Sequence, residues 1–132
     1  MKWDPKYALG LPAVDAQHRQ LFLMSDELEQ ALEKGISKEH LDTLLSRLGT
    51  YTIRHFILEE KYMQEAAYPG LAEQQKAHKA FIAQFEEFQD LIRKDGFSNE
   101  LVGVIHKGIS TWIQNHVTGL DKQFGDFLQN HS

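Results

Sequence analysis

Nitrogen- and oxygen-bearing side chains recur along this chain at intervals that can place them on the inward faces of helices. The candidate ligands are, in order, His18, His55, Glu59, Gln74, His78, His116 and Asp121. Residues four apart share one face of an α-helix, because one turn takes about 3.6 residues. If four helices turn these faces inward, four imidazoles and two carboxylates meet in one place. That donor set suits a pair of iron-class metal ions.

Glu59 is the residue that raises this pattern above chance. A single histidine on an apolar face is more often a hydrogen-bonded core residue than a ligand. Glu59, however, lies on the same stripe as His55 and Leu48, where a carboxylate should be rare. A buried charge is costly unless it is paired or bound to metal, and no lysine or arginine occupies the inward positions. A metal would supply the missing positive charge.

The donor types narrow the choice of metal. A structural zinc site is usually four-coordinate and closed, and this set is too large for one zinc. Calcium and magnesium prefer oxygen ligands to imidazoles. Imidazoles with bridging carboxylates suit iron or manganese, and we expect iron in both places. The Glu-x-x-His pairs of ferritin-like di-metal bundles, the His-Glu-x-x-His motif and Gly-rich phosphate loops are absent from the sequence.

His116 and Asp121 are five residues apart, not four. On an ideal helix, five steps place a side chain about 140° away from the starting face. Both residues can therefore reach one metal pair only if the helix breaks or widens between them. Gly119 lies where such a change is expected, and glycine tolerates unusual backbone conformations.

Bulk composition excludes several functions. The chain has 132 residues, a formal net charge of −5 and no cysteine. No basic stripe indicates nucleic-acid binding, and no apolar run approaches the roughly 20 residues needed to cross a membrane. The absence of cysteine excludes disulfides, thiolate catalysis and iron–sulfur clusters. The start of the chain does not look like a signal peptide, so we expect a cytoplasmic protein.

The elements that must position the candidate ligands are all helices. The pattern predicts an all-α protein, an up-down-up-down antiparallel four-helix bundle forming a single domain over residues 1–132. Residues 1–14 are expected to form an ordered, non-helical arm. The expected helices run from a cap at Asp15 to Lys34, from a cap at Ser37 to about Ala66, from about Leu71 to Asp95-Gly96, and onward from a cap at Ser98, with a short C-terminal helix from Asp121 to Leu128.

These motifs together resemble the hemerythrin family, and the chain's length resembles the bacterial, single-domain branch. The resemblance covers essentially the whole chain. It rests on Trp3, Val14-Asp15-x-Gln17-His18, His55-Phe56-x-x-Glu59-Glu60-x-x-Met63, Tyr68-Pro69 and Trp112-Ile113-x-x-His116-Val117.

The resemblance implies a non-haem di-iron centre that binds O2 reversibly. It implies that His18 and His55 bind one iron, that positions 74, 78 and 116 bind the other, and that Glu59 and Asp121 bridge the pair with an oxo or hydroxo group. O2 would bind end-on at the iron held by two histidines, in an apolar pocket. The positions that match this pocket are Leu21, Phe56, Ile113 and Val117.

Gln74 departs from the family pattern, which has histidine at this position. If Gln74 is not a ligand, each iron keeps two histidines, and two open positions face the pocket. This departure favours an enzyme as the alternative to an O2 carrier, store or supplier, either a di-iron peroxidase or an NO-handling enzyme. A sensor of O2 or iron is a further alternative. The sequence specifies neither a protein recipient for the O2 nor an oligomeric state.

Overall fold

Five α-helices account for most of the residues that the structure describes. The computed structural model describes residues 3–95 and 98–130, so Gly96, which the sequence predicts at the end of the third helix, lies outside the described residues. The helices are α1 Pro12–Lys34, α2 Lys38–Glu65, α3 Leu71–Asp95, α4 Asn99–His116 and α5 Lys122–Asn130. A 3-10 helix spans Pro5–Tyr7, and a π-helical segment spans Val117–Asp121 between α4 and α5.

The four long helices form a closed bundle. α1 packs against α2 and α4, and α3 packs against the same two helices. Because short links join consecutive helices, neighbours run antiparallel. The prediction of an all-α, up-down-up-down four-helix bundle with a short C-terminal helix is confirmed.

Local signals explain two of the helix starts and one helix end. Ser37 Oγ accepts a hydrogen bond from the His40 amide, and Ser98 Oγ accepts one from the Leu101 amide, both at 3.1 Å. Both serines are therefore the N-caps that the sequence predicts. Gly35 ends α1 with a φ of 84°, a backbone conformation that residues other than glycine rarely adopt.

The prediction that Asp15 caps α1 is wrong. The helix begins at Pro12, inside the segment expected to be a non-helical arm, and proline is well suited to the first position of a helix. The Asp15 carboxylate is nearly buried and accepts hydrogen bonds from the amides of Leu9 and Gly10, at 2.8 and 3.2 Å. Asp15 thus holds the arm against the bundle.

The core has two parts, and the candidate ligands fall between them. The larger part contains Leu21, Phe22 and Phe56, and the smaller part contains Val14 and Met63. Along α1, His18 lies between Val14 and Leu21, and along α2, Glu59 lies between Phe56 and Met63. The polar cluster is therefore enclosed by apolar packing toward both ends of the bundle.

Over the part of the chain that is described, no helix is both long enough and apolar enough to cross a membrane.

Candidate metal centre

All seven candidate ligands lie inside the bundle. Their exposed fractions are 0% for His18, Glu59 and Asp121, 1% for His55 and Gln74, 2% for His78 and 7% for His116. They come from α1, α2, α3, α4 and the π-helical segment, so the site exists only when the whole bundle is assembled.

Glu59 lies at the middle of the cluster, with two histidines beside each of its oxygens. Its Oε2 is 3.2 Å from the Nε2 atoms of both His18 and His55. Its Oε1 is 3.1 Å from His78 Nε2 and 3.8 Å from His116 Nε2. The carboxylate therefore divides the histidines into two pairs.

Asp121 spans the same division. Its Oδ2 is 3.1 Å from His18 Nε2, and its Oδ1 is 3.1 Å from His116 Nε2. We call His18, His55, Glu59 Oε2 and Asp121 Oδ2 the first half of the centre. The second half consists of His78, His116, Glu59 Oε1 and Asp121 Oδ1.

The π-helical segment is what brings Asp121 to the cluster. Its hydrogen bonds link residues five apart, which matches the interval from His116 to Asp121. The predicted widening of the helix is confirmed. Gly119, however, does not have a positive φ. A Cβ atom built on it would lie within 4 Å of no described residue outside its own helix backbone and chain neighbours. The widened turn therefore does not depend on glycine's conformational freedom.

The spacing of the donors fits metal ions. Two atoms each about 2.1 Å from one ion, at tetrahedral or octahedral angles, lie roughly 3.0–3.4 Å apart. Six donor pairs within the two halves are separated by 3.1 or 3.2 Å, including His78 Nε2 and His116 Nε2 at 3.2 Å. Asp121 Oδ2 makes no hydrogen bond among the described residues, although it is 3.1 Å from His18 Nε2. A cation in each half would satisfy these atoms.

Charge within the cluster also favours cations. Burial lowers the pKa of His18, but Asp121 and Glu59 raise it by a larger amount, so that the pKa is about 9. The pKa of His116 is likewise lowered by burial and raised overall to about 9 by the same carboxylates. Burial alone would raise the pKa of Glu59, yet the surrounding histidines hold that pKa well below its usual range. Two buried carboxylates thus demand positive charge, as protons or as metal.

Two residues that the sequence did not indicate as functional orient the histidines. Gln17 Oε1 is 2.8 Å from His55 Nδ1, and Glu60 Oε2 is 2.7 Å from His78 Nδ1. The Glu60 side chain is 28% exposed, and its carboxylate contacts the imidazole of His78. Such partners fix the ring orientation and leave Nε2 free for a metal. Gln17 lies next to His18 and Glu60 next to Glu59, and this adjacency was the available signal.

An aromatic ring stacks on each histidine of the second half. The Phe56 ring stacks on His78 with centroids 3.8 Å apart, and the Trp112 ring stacks on His116 at 4.4 Å. The four residues of the predicted O2 pocket, Leu21, Phe56, Ile113 and Val117, are all buried in the larger part of the core. Their role in binding O2 stays a prediction.

Comparison with known proteins places this architecture in a family. The family model described as hemerythrin HHE cation binding domain matches residues 9–128. A bacteriohemerythrin of Stenotrophomonas maltophilia is 28% identical over 130 residues, covering 98% of this chain and 82% of the relative. Hemerythrin subunit 1 of Golfingia vulgaris is 30% identical over 122 residues, covering 92% of this chain and 88% of the relative. A bacteriohemerythrin of Clostridium acetobutylicum is 24% identical, covering 94% of this chain and 98% of the relative. The chain, with its buried histidines and two shared carboxylates, therefore belongs to the hemerythrin family.

Proposed function

We propose that this protein binds O2 reversibly at a pair of iron ions and serves as an oxygen carrier, store or supplier. The observation that carries the proposal is the division of one buried cluster into two halves. Each half offers two imidazole nitrogens and one oxygen from each of the same two carboxylates. That arrangement suits two neighbouring iron ions that share Glu59 and Asp121. Membership of the hemerythrin family supports the same assignment.

The iron pair would supply the electrons that O2 takes up when it binds, and the chain's own residues would control access and orientation. His18 and His55 would hold one ion, while His78 and His116 would hold the other. Leu21, Phe56, Ile113 and Val117 would keep water from the O2 pocket. A dry environment disfavours the charge separation that releases superoxide and leaves the iron oxidised.

Iron analysis and optical spectroscopy test this proposal. After reconstitution with ferrous iron, we expect two iron ions per chain. We also expect near-ultraviolet and visible bands that appear in air, disappear under vacuum and return on re-exposure. The variant His55→Ala should lose iron, whereas His40→Ala, at an exposed position on the same helix, should not. Full occupancy without a reversible spectral change would contradict O2 carriage, and an iron-free protein would contradict the metal assignment.

A di-iron peroxidase is the second candidate, and Gln74 is the observation that favours it. Gln74 Nε2 donates to Asp121 Oδ1 at 3.1 Å, so among the described residues the second half has two histidines as nitrogen donors. An ion with fewer protein ligands can accept more from solution. Peroxide supplied with a reducing co-substrate distinguishes the two functions. Turnover faster than that of free iron would support a peroxidase function. If there is no such turnover, O2 carriage is the function that remains.

A further inference from the structure

The second half of the centre is more accessible than the first. His116 is 7% exposed, whereas His18 is fully buried and His55 is 1% exposed. His116 lines a groove of about 700 Å³ between α3 and α4, and His78 lines a separate cavity of about 270 Å³ between α2 and α3. Neither His18 nor His55 lines either space. A small molecule arriving through these openings therefore meets the second half first.

Gln74 leaves that half short of one ligand. Its Nε2 is engaged with the Asp121 carboxylate, while its Oε1 is buried without a hydrogen-bond partner among the described residues. The family pattern has a third imidazole at this position. With an amide held against Asp121 instead, an octahedral ion in this half would keep a position for a ligand from solution. Ala77, one turn beyond Gln74 on α3, lines the groove between α3 and α4.

The groove favours a negatively charged ligand. Lys107 is exposed and lines it, and the other polar lining residues include the uncharged Gln84, Thr111 and Asn115. Among the described residues, neither an aspartate nor a glutamate lines it. A lysine without an acidic neighbour in the lining raises the local concentration of small anions. This charge is notable in a chain whose overall net charge is −5.

We propose that a small anion binds at the second half of the centre, reached through the groove between α3 and α4, at the position that Gln74 leaves open. The proposal rests on the proposed function, because it requires the ion held by His78 and His116. It adds a second ligand position to the one that the family resemblance implies at the first half. The chemical class is a monodentate anion of two or three atoms, for which azide is the probe.

Azide titration of the iron-loaded, fully oxidised protein tests the proposal. Isothermal calorimetry should give two azides per centre, and a crystal structure of the complex should show one of them beside His116. The variant Gln74→His supplies the missing imidazole and should reduce the count to one. The variant Ala77→Leu, which fills the groove without changing a ligand, should also reduce the count to one while iron content stays at two per chain.

A charge-reversal pair tests the route. Lys107→Glu should weaken the second azide about fivefold at low salt, and less at high salt because the lysine is exposed to solvent. Lys61→Glu changes the net charge equally at an exposed position on α2 that does not line the groove, and it should leave both affinities unchanged. Equal effects of the two substitutions would overturn the assigned route.

The outcomes separate this inference from the function on which it rests. Two irons with one azide per wild-type centre would overturn the second position while leaving the iron pair intact. Two azides that both persist in Gln74→His would overturn the role of Gln74. A protein that takes up no iron under reconstitution would overturn the proposed function itself.

Discussion

Glu60 accepts a hydrogen bond from His78 Nδ1 at 2.7 Å, so the residue next to the shared carboxylate on α2 orients a histidine on α3. Glu59 and Glu60 are adjacent in sequence but face different surroundings. Glu59 lies wholly inside the cluster, whereas Glu60 lies at its edge and lines the cavity between α2 and α3. Two adjacent residues of α2 thus supply one expected ligand, Glu59, and the hydrogen-bond partner of a second expected ligand, His78.

Replacing Glu60 by alanine should weaken metal binding without dismantling the fold. Loss of a partner that orients a ligand typically costs 10- to 100-fold in metal affinity, so we expect a loss of about that size at the second half. Competition with a chelator measures the change. Glu65→Ala, at an exposed position on the same helix, is the matched control. Equal affinities for the two variants would show that Glu60 does not support His78.

Two glycines in the C-terminal region should respond oppositely to alanine. A Cβ atom on Gly125 would lie 3.2 Å from Leu9 Cα and 3.1 Å from Leu9 Cδ2, and Leu9 is held in place by Asp15. Gly125→Ala should therefore destabilise the protein by about 1–3 kcal/mol through overpacking. Gly119→Ala should be neutral or stabilise by up to about 1 kcal/mol, because space is free there. Urea unfolding compares them, and iron loss in Gly119→Ala would show that the widened turn does need glycine.

The four-helix bundle and the set of inward donors could be predicted because both follow from helical periodicity. His55 and Glu59 share a face whatever surrounds them. The five-residue interval from His116 to Asp121 likewise required a widened turn. Partners across helices could not be predicted, because the contact between Glu60 and His78 depends on how α2 and α3 are rotated about their axes. Asp15 was misassigned for a related reason, since a carboxylate near a helix start can bind amides of a folded-back arm instead.

Metal-free protein should lose stability as pH rises above neutrality. The pKa values of His18 and His116 are raised from 6.5 to about 9 in the folded state. Their contribution to stability is therefore fully present below pH 6.5 and is lost as pH rises through about 9. The loss should be on the order of a few kcal/mol, measured as the free energy of unfolding in urea. A flat profile over this range would contradict protonated histidines in the folded state.

In the acid range, the stability of the metal-free protein should change with pH in the opposite direction. The pKa of Glu59 is lowered on folding, so its contribution is present above its ordinary value of 4.5 and is lost as pH falls through the lower value in the folded protein. Metal-free protein should accordingly be most stable between about pH 4.5 and pH 6.5. Iron-loaded protein should behave differently, because metal competes with protons for the imidazoles and binds more tightly as pH rises. A maximum at the same pH in both forms would show that ions and protons do not share these sites.

Replacing Ser25 or Ser110 by alanine should destabilise the protein to different extents, although the two hydroxyls contact each other at 2.5 Å. Ser110 Oγ also lies 3.0 Å from His106 Nε2, so it keeps a partner when Ser25 is removed. Ser25 is fully buried, and Ser110 is its hydrogen-bond partner in the bundle interior. Ser110→Ala should therefore cost about 1–3 kcal/mol, more than Ser25→Ala, because it leaves a buried hydroxyl unsatisfied. The double variant should recover much of that loss, since no orphaned hydroxyl then remains. Thermal or urea unfolding of the three variants measures the order, and a double variant less stable than Ser110→Ala would refute the explanation.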